Sequence, residues 1–141
     1  MSGITLVSGN PRLEAVFVEE FGRSTPVRRV WSDQWHDPAE VAMDACAADP
    51  ELVVIGSDAG QELTQVVVPE IDRLFPATTI LCLTPRVDTA TSMTLLRLGA
   101  RDVAYEGGTR RDFRASIEPV LQLAHSRHQR RADTPAEVRR R

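Results

Sequence analysis

Lysine is absent from this chain of 141 residues, and all 17 of its basic residues are arginine. A P-loop uses a lysine to contact the β- and γ-phosphates of a nucleotide, so the sequence excludes that motif. Schiff-base chemistry with pyridoxal phosphate or an aldolase substrate also needs a lysine. Both classes of enzyme are therefore excluded by one missing residue type.

Cysteine and long apolar runs are also scarce. The only cysteines, Cys46 and Cys82, lie far apart in apolar surroundings, which predicts buried thiols rather than a disulfide framework or a zinc site. We expect no metal and no cofactor. No apolar run is long enough to span a bilayer, and the first residues lack the pattern of a signal peptide. The sequence therefore predicts a cytoplasmic protein with no transmembrane segment.

The overall composition is that of one globular domain. Apolar residues make up 42% of the chain and charged residues 26%, which is enough apolar material for a packed core. The net charge is −3, whereas nucleic-acid-binding domains are normally basic. We expect no nucleic-acid partner for the folded domain.

Strand-like and helix-like segments alternate from residue 4 to residue 124. Leu52–Ile55 and residues 79–83 are continuous apolar runs, typical of central parallel strands that are covered on both faces. Residues 27–31 are polar in the middle, which predicts an edge strand. Five strands alternating with five helices predict a single α/β domain, a doubly wound, five-stranded parallel sheet with the flavodoxin-like strand order 2-1-3-4-5.

The helix boundaries are marked by capping residues. Asp37, Asp88 and Thr109 each precede a helical pattern and are predicted N-caps. Pro69 predicts a kink or a break in the third helix, and Pro119 predicts a bend in the last one. The apolar residues at helical spacing in the fourth helix are Met93, Leu96 and Leu98.

Three segments resemble the receiver domain of response regulators. Residues 50–56, P-E-L-V-V-I-G, resemble its third strand, and residues 80–84, I-L-C-L-T, resemble its fourth. Residues 98–105, L-G-A-R-D-V-A-Y, resemble the step into its fifth strand, and G-A-R-D-V is the most specific part. The resemblance covers about residues 4–124 and implies a CheY-like, receiver-like fold.

A working receiver has two metal-binding acidic residues, an aspartate that accepts the phosphoryl group, a Thr or Ser, and a lysine. The metal and the lysine neutralise charge on the transferred group. On this resemblance, the positions are occupied, in that order, by Ser8, Gly9, Gly56, Thr84 and Glu106. Only Thr84 keeps its residue type, which implies a pseudo-receiver that is not an enzyme. Asp58 follows two residues after the acceptor position, and a shifted loop would return one carboxylate to the pocket.

Among degenerate receivers, the sequence is most similar to the N-terminal domain of pilus-assembly ATPases of the CpaE/TadZ type. That resemblance implies a localisation or scaffolding role in Flp/Tad pilus biogenesis, through protein partners, next to a MinD/ParA-like ATPase. The alternative is a stand-alone atypical response regulator that acts in signal transduction, through a small ligand at the degenerate pocket.

The resemblance also implies a contact surface made by the fourth helix, the fifth strand and the fifth helix. Both signs of charge are present there, which suits the self-complementary interface of a homodimer. Apolar contacts would come from Tyr105 and from outward residues of the fourth helix. The predicted interface residues are Arg97, Arg101, Asp102, Tyr105, Arg110, Arg111 and Arg114.

We expect the pseudo-receiver domain to span residues 1–125 and a basic tail to span residues 126–141. The tail contains six arginines and two acidic residues, which predicts a solvated linker that leads to a further domain. A polybasic contact with nucleic acid or anionic lipid is the other interpretation. His125 and His128 are predicted to be solvated, and Trp31 and Trp35 are either ordinary core residues or a partner-binding aromatic pair.

Overall fold

The computed structural model describes residues 3–133, which form one five-stranded sheet. The strands are β1 (Ile4–Val7), β2 (Val27–Val30), β3 (Leu52–Ile55), β4 (Thr79–Thr84) and β5 (Asp102–Tyr105). All neighbouring strands are parallel, in the order β2-β1-β3-β4-β5. The predicted sheet topology is confirmed, and β2 lies at an edge as its polar middle predicts.

Five α-helices connect or follow the strands. They are α1 (Pro11–Phe21), α2 (Pro38–Cys46), α3 (Gln61–Leu74), α4 (Thr89–Leu98) and α5 (Arg110–Asp133), with a short 3₁₀ turn at Ser57–Ala59 before α3. Within residues 3–133, no helix has the length and apolar content that crossing a membrane requires.

The core has two layers because successive strand residues point to opposite faces of the sheet. Leu52 and Val54 pack with α1 and α5, whereas Val53 and Ile55 pack with α2, α3 and α4. All four of these β3 side chains are buried, which explains why the strand is a continuous apolar run.

The predicted N-caps are confirmed by their hydrogen bonds. The Asp37 carboxylate accepts from the backbone N–H of Glu40 at 2.9 Å, and the Asp88 carboxylate accepts from that of Thr91 at 3.3 Å. Thr109 Oγ1 accepts from the backbone N–H of Asp112 at 3.1 Å. Each cap satisfies an N–H group that has no partner within the helix.

Neither internal proline ends its helix, so the break considered at Pro69 does not occur. Helix α3 continues through Pro69 to Leu74, and α5 continues through Pro119 to Asp133. Buried residues on both sides of Pro69, among them Val68 and Ile71, keep α3 packed on the sheet. This packing offsets the loss of one backbone hydrogen bond.

Helix α5 includes residues 126–133 of the predicted tail, and residues 134–141 lie outside the described part of the chain. His125 is exposed, as the sequence predicts, whereas the His128 side chain is mostly covered, and both rings contact acidic residues. His125 Nδ1 lies 2.9 Å from Oε1 of buried Glu51, and His128 Nε2 lies 3.2 Å from Oδ2 of Asp49. The helix therefore lies against the loop that leads into β3, where both acidic residues are found.

Candidate functional site

The candidate site lies where the carboxyl ends of β1, β3, β4 and β5 meet at one edge of the sheet. Ser8 and Gly9 follow β1, Gly56 follows β3, Thr84 ends β4 and Glu106 follows β5. A Cβ atom built on Gly56 would lie 3.1 Å from Ser8 Cβ. The parallel topology brings these loops together, as the receiver resemblance implies.

Asp58 occupies the centre of this edge. The 3₁₀ turn at Ser57–Ala59 directs its side chain back towards β1. There, Oδ1 accepts a hydrogen bond from Ser8 Oγ at 2.7 Å, and Oδ2 accepts one from the Gly9 backbone N–H at 2.7 Å. Ser8 Oγ in turn accepts from the Asn10 backbone N–H at 3.0 Å. The Asp58 carboxylate therefore holds the loop after β1 against the loop after β3.

The same carboxylate lies against the Cα atom of Gly56. Gly56 has ordinary extended dihedral angles, φ −67° and ψ 153°, so the backbone does not require glycine. A Cβ atom at position 56 would lie only 2.5 Å from Asp58 Oδ1, which is far inside van der Waals contact. The space that an acceptor side chain would need is taken by Asp58.

Glu106 makes the second carboxylate link. It accepts hydrogen bonds from the Ser57 backbone N–H at 3.0 Å and from Ser57 Oγ. Position 106 is the one where a working receiver has its lysine, so a cation is replaced by an anion. Glu106 thereby joins the loop after β5 to the loop after β3.

The Thr84 hydroxyl is hydrogen-bonded within the sheet. The residue is buried, and its Oγ1 donates to the backbone oxygen of Ala104 at 3.4 Å. The backbone N–H of Glu106 donates to the Thr84 carbonyl at 2.9 Å. Thr84 is thus hydrogen-bonded to β5 and to the residue that follows it.

These contacts define what the edge can do chemically. We name the set formed by Ser8, Gly9, Ser57, Asp58 and Glu106 the carboxylate clasp. Its two carboxylates accept from hydroxyl and backbone N–H donors, and nothing in the clasp is cationic. Within residues 3–133, no group of three or more His, Cys, Asp or Glu side chains is placed to hold a metal ion. The clasp therefore links the loops after β1, β3 and β5 through carboxylate hydrogen bonds.

The predicted interface residues fall into two groups. Arg97, Arg101, Tyr105 and Arg111 are exposed at α4, β5 and the start of α5. Asp102 is exposed as well, and its carboxylate accepts from the Val103 backbone N–H at 2.8 Å. Among the residues that the structure describes, the arginines of this group form no ion pair.

The other two interface arginines contact α1. Arg110 lies 3.0 Å from a carboxylate oxygen of Glu19 and 3.6 Å from one of Glu20. Arg114 lies 3.3 Å from Glu20, and its guanidinium stacks on the Phe21 ring at 5.5 Å. The structure therefore does not bring these two arginines into one free patch with Arg97 and Arg101.

Helix α4 presents more apolar surface than its sequence pattern indicates. Its only buried residue is Leu95, while Met93 and Leu96 are exposed. Val87, just before the helix, is 80% exposed. The sequence stripe of Met93, Leu96 and Leu98 missed Leu95 because Leu95 and Leu96 are adjacent and the periodicity fits either. The exposed apolar residues lie beside Arg97 and Tyr105.

The fold is that of a CheY-like receiver. No family profile matches the sequence, and no curated protein matches it either. Solved structures do match in shape. A response regulator from Thermotoga maritima superimposes with a TM-score of 0.67 at 14% identity, covering 86% of this chain and 98% of that one.

Several of the matching structures are described as pilus-assembly proteins or carry the names tadZ or cpaE. A CheY-like protein (tadZ) from Pseudomonas aeruginosa has a TM-score of 0.67 at 11% identity, covering 88% of this chain and 93% of that one. A pilus assembly protein (cpaE) from Burkholderia thailandensis has a TM-score of 0.64 at 18% identity, covering 86% of this chain and 99% of that one. The structural neighbours are therefore receiver domains, among them domains of CpaE and TadZ proteins. At these identities the likeness concerns the fold.

Proposed function

We propose that this domain is a non-catalytic, phosphorylation-independent interaction module built on the receiver fold. One observation carries the proposal: the acceptor space at Gly56 is filled by Asp58, whose two carboxylate oxygens already accept hydrogen bonds from Ser8 and Gly9. An aspartate held this way is a structural group, because a nucleophile needs an oxygen directed at the incoming phosphorus.

The charge at the site supports the same proposal. Phosphoryl transfer builds up negative charge, which receivers neutralise with a metal ion and a lysine. Here Asp58 and Glu106 add two carboxylates, and the chain contains no lysine to offset them. The clasp itself therefore supplies no cation that would neutralise a phosphoryl group.

The proposed binding surface consists of α4 and β5, with the start of α5. Val87, Met93, Leu96 and Tyr105 supply exposed apolar area, and Arg97 lies among them. Exposed ion pairs contribute only about 0–1 kcal/mol each, so the apolar residues supply most of the binding free energy. We propose that the protein forms a homodimer through this surface, with Arg101 and Arg111 at its edge.

A place in Flp/Tad pilus assembly is the biological context that we propose. The tadZ and cpaE neighbours match over nearly their full solved lengths, and the G-A-R-D-V step into β5 resembles the same group. In that context the domain would be the N-terminal part of a MinD/ParA-like ATPase that acts in the cytoplasm, and it would serve localisation or scaffolding.

The second candidate is an atypical response regulator that senses a small ligand. A cavity of about 220 Å³ lies beside the clasp, between the first turns of α1 and α5. Arg12, Thr109 and Phe113 line it together with Glu106. A ligand bound here would contact the clasp directly through Glu106.

Phosphorylation can be tested directly on the protein. Incubation with acetyl phosphate and Mg²⁺, followed by intact-mass measurement, is expected to show the unmodified mass. The Asp58→Asn variant is the matched control, because it removes the carboxylate that lies against Gly56 and leaves the Glu106 carboxylate in place. A phosphoryl adduct that is present on the wild type and absent from Asp58→Asn would overturn the proposal.

A further inference from the structure

A groove of about 800 Å³ separates the first turns of α2 and α3, away from the α4–β5 surface. Its lining comes from residues 35–41 on one side and residues 59–66 on the other. Val41, Leu63, Val66 and Trp35 provide apolar lining, and Val66 is 46% exposed. We name this feature the α2–α3 groove.

Trp35, which lines the α2–α3 groove, forms an aromatic pair with Trp31. Trp31 and Trp35 contact each other edge to face, with ring centroids 5.4 Å apart. The Trp35 indole N–H donates to the Asp44 carboxylate at 2.6 Å, which fixes its ring. A pre-ordered pair of indoles costs little further entropy on binding, and tryptophan is enriched at the energetic centres of interfaces. Trp35 is half-buried against the core and Trp31 is exposed, so the pair presents an ordered aromatic edge next to the groove.

The rim of the groove is acidic. Asp37 and Glu62 line it, and Glu40 lies one turn from Asp37, where it accepts from the His36 backbone N–H. None of these three carboxylates forms an ion pair with a cation of residues 3–133, although Glu14, Glu19, Glu20 and Glu70 all do. The positive ends of the α2 and α3 helix dipoles, at their N-termini, offset about half a charge each. Of the three negative charges of these carboxylates, about two therefore remain at the rim.

We propose that the α2–α3 groove binds an arginine- or lysine-bearing amphipathic segment of a partner protein. Apolar side chains of that segment would pack on Val41, Leu63 and Val66, and its cations would pair with Glu62 and Asp37. A guanidinium can also stack on the exposed Trp31 ring. This surface is separate from the one in the proposed function, so either can fail without the other.

The experiment uses the only two tryptophans of the chain as reporters, because Trp35 lines the groove and Trp31 contacts Trp35. The probe is a synthetic amphipathic helix about four turns long, with leucine on one face and arginine beside it. Titration is expected to change the tryptophan emission with an affinity in the micromolar range, typical of weak encounters. The same peptide with glutamate in place of arginine is expected to leave the emission unchanged.

Two matched pairs of variants locate the binding. Glu62→Gln and Gln65→Arg each raise the net charge by one unit on exposed positions of α3, but only Glu62 lines the groove. We expect Glu62→Gln to weaken the affinity about two- to fivefold, and Gln65→Arg to weaken it less. Val66→Gln is expected to weaken it about tenfold, and Val18→Gln, at an equally exposed position of α1 outside the groove lining, to leave it unchanged.

Several outcomes would overturn the proposal. One is unchanged emission with the arginine peptide, and another is equal binding of the glutamate peptide. Equal weakening by Glu62→Gln and Gln65→Arg would mean that net charge, not the groove, attracts the peptide. A fourth outcome would be tryptophan emission that shifts with protein concentration in the absence of peptide. If that shift were lost in Val66→Gln, a second copy of this chain would be the occupant of the groove instead.

Discussion

Adding a methyl group at Gly56 is expected to break the carboxylate clasp. The new Cβ atom would lie 2.5 Å from Asp58 Oδ1, so the Asp58 side chain must move away from Ser8. The φ and ψ angles of Gly56 are allowed for alanine, and the substitution alone would otherwise stabilise the protein by about 0.4–1 kcal/mol through the unfolded state. The sign of the measured effect therefore reports whether Asp58 occupies this space.

The magnitude follows from the hydrogen bonds that are lost. Hydrogen bonds to a charged group contribute about 1.5–3 kcal/mol, and the one to the Gly9 N–H is exposed and worth less. We expect Asp58→Ala to lower the free energy of unfolding by about 2–3 kcal/mol, and Gly56→Ala to lower it by about 1–2 kcal/mol. The two substitutions remove the same bonds, so their effects should not add.

Urea denaturation of the wild type, both single variants and the double variant completes the cycle. The double variant is expected to be no less stable than Asp58→Ala, which gives a coupling free energy of about 2 kcal/mol between positions 56 and 58. Additive effects, or a Gly56→Ala protein that is more stable than the wild type, would refute the placement of Asp58.

Three further predictions concern the core, the interface and the thiols. Leu81→Ala removes a fully buried side chain of β4 and should lower the free energy of unfolding by about 2–4 kcal/mol, measured by urea denaturation. An unchanged denaturation midpoint would contradict the strand assignment. Sedimentation equilibrium should show that the wild-type protein is a dimer and that the double variant Arg101→Glu/Arg111→Glu dimerises more weakly. A wild-type protein that stays monomeric at high micromolar concentration would reject the interface, and so would a dimer that the double substitution leaves unchanged. Burial raises the pKa of Cys46 to about 11 and the pKa of Cys82 to about 12, so neither native thiol should react with iodoacetamide at neutral pH. Above pH 9 the thiols ionise in the unfolded chain but not in the folded protein, so the free energy of unfolding should fall as the pH rises. This fall should be less steep in the Cys82→Ala variant. Rapid labelling of the native protein by iodoacetamide would contradict the burial of the thiols.

The sequence by itself determined the order and type of the secondary-structure elements. Leu52–Ile55 is apolar throughout because both faces of the strand are covered, and that pattern is visible without coordinates. Asp37 and Asp88 bond to N–H groups three residues away. Such signals depend on near neighbours alone, so a sequence displays them directly.

Proline shows the limit of a local rule. Pro69 removes a donor from α3, and the local expectation is an interruption. Packing of Val68 and Ile71 against the sheet keeps the helix continuous. The tertiary contacts outweigh the missing hydrogen bond, and no local pattern reveals them.

Only the tertiary structure decided how the functional edge is arranged. Residues 8 and 58 are 50 positions apart, and Arg114 is 94 positions from Glu20. The sequence placed the strand ends at one edge, but it did not show that a single 3₁₀ turn directs the Asp58 carboxylate into the space beside Gly56. Whether a polar side chain meets a ligand, a partner or another loop depends on which loops the parallel sheet brings within hydrogen-bonding distance. That distance is set by the packing of the whole domain, which is why composition and periodicity could predict the fold and not the clasp.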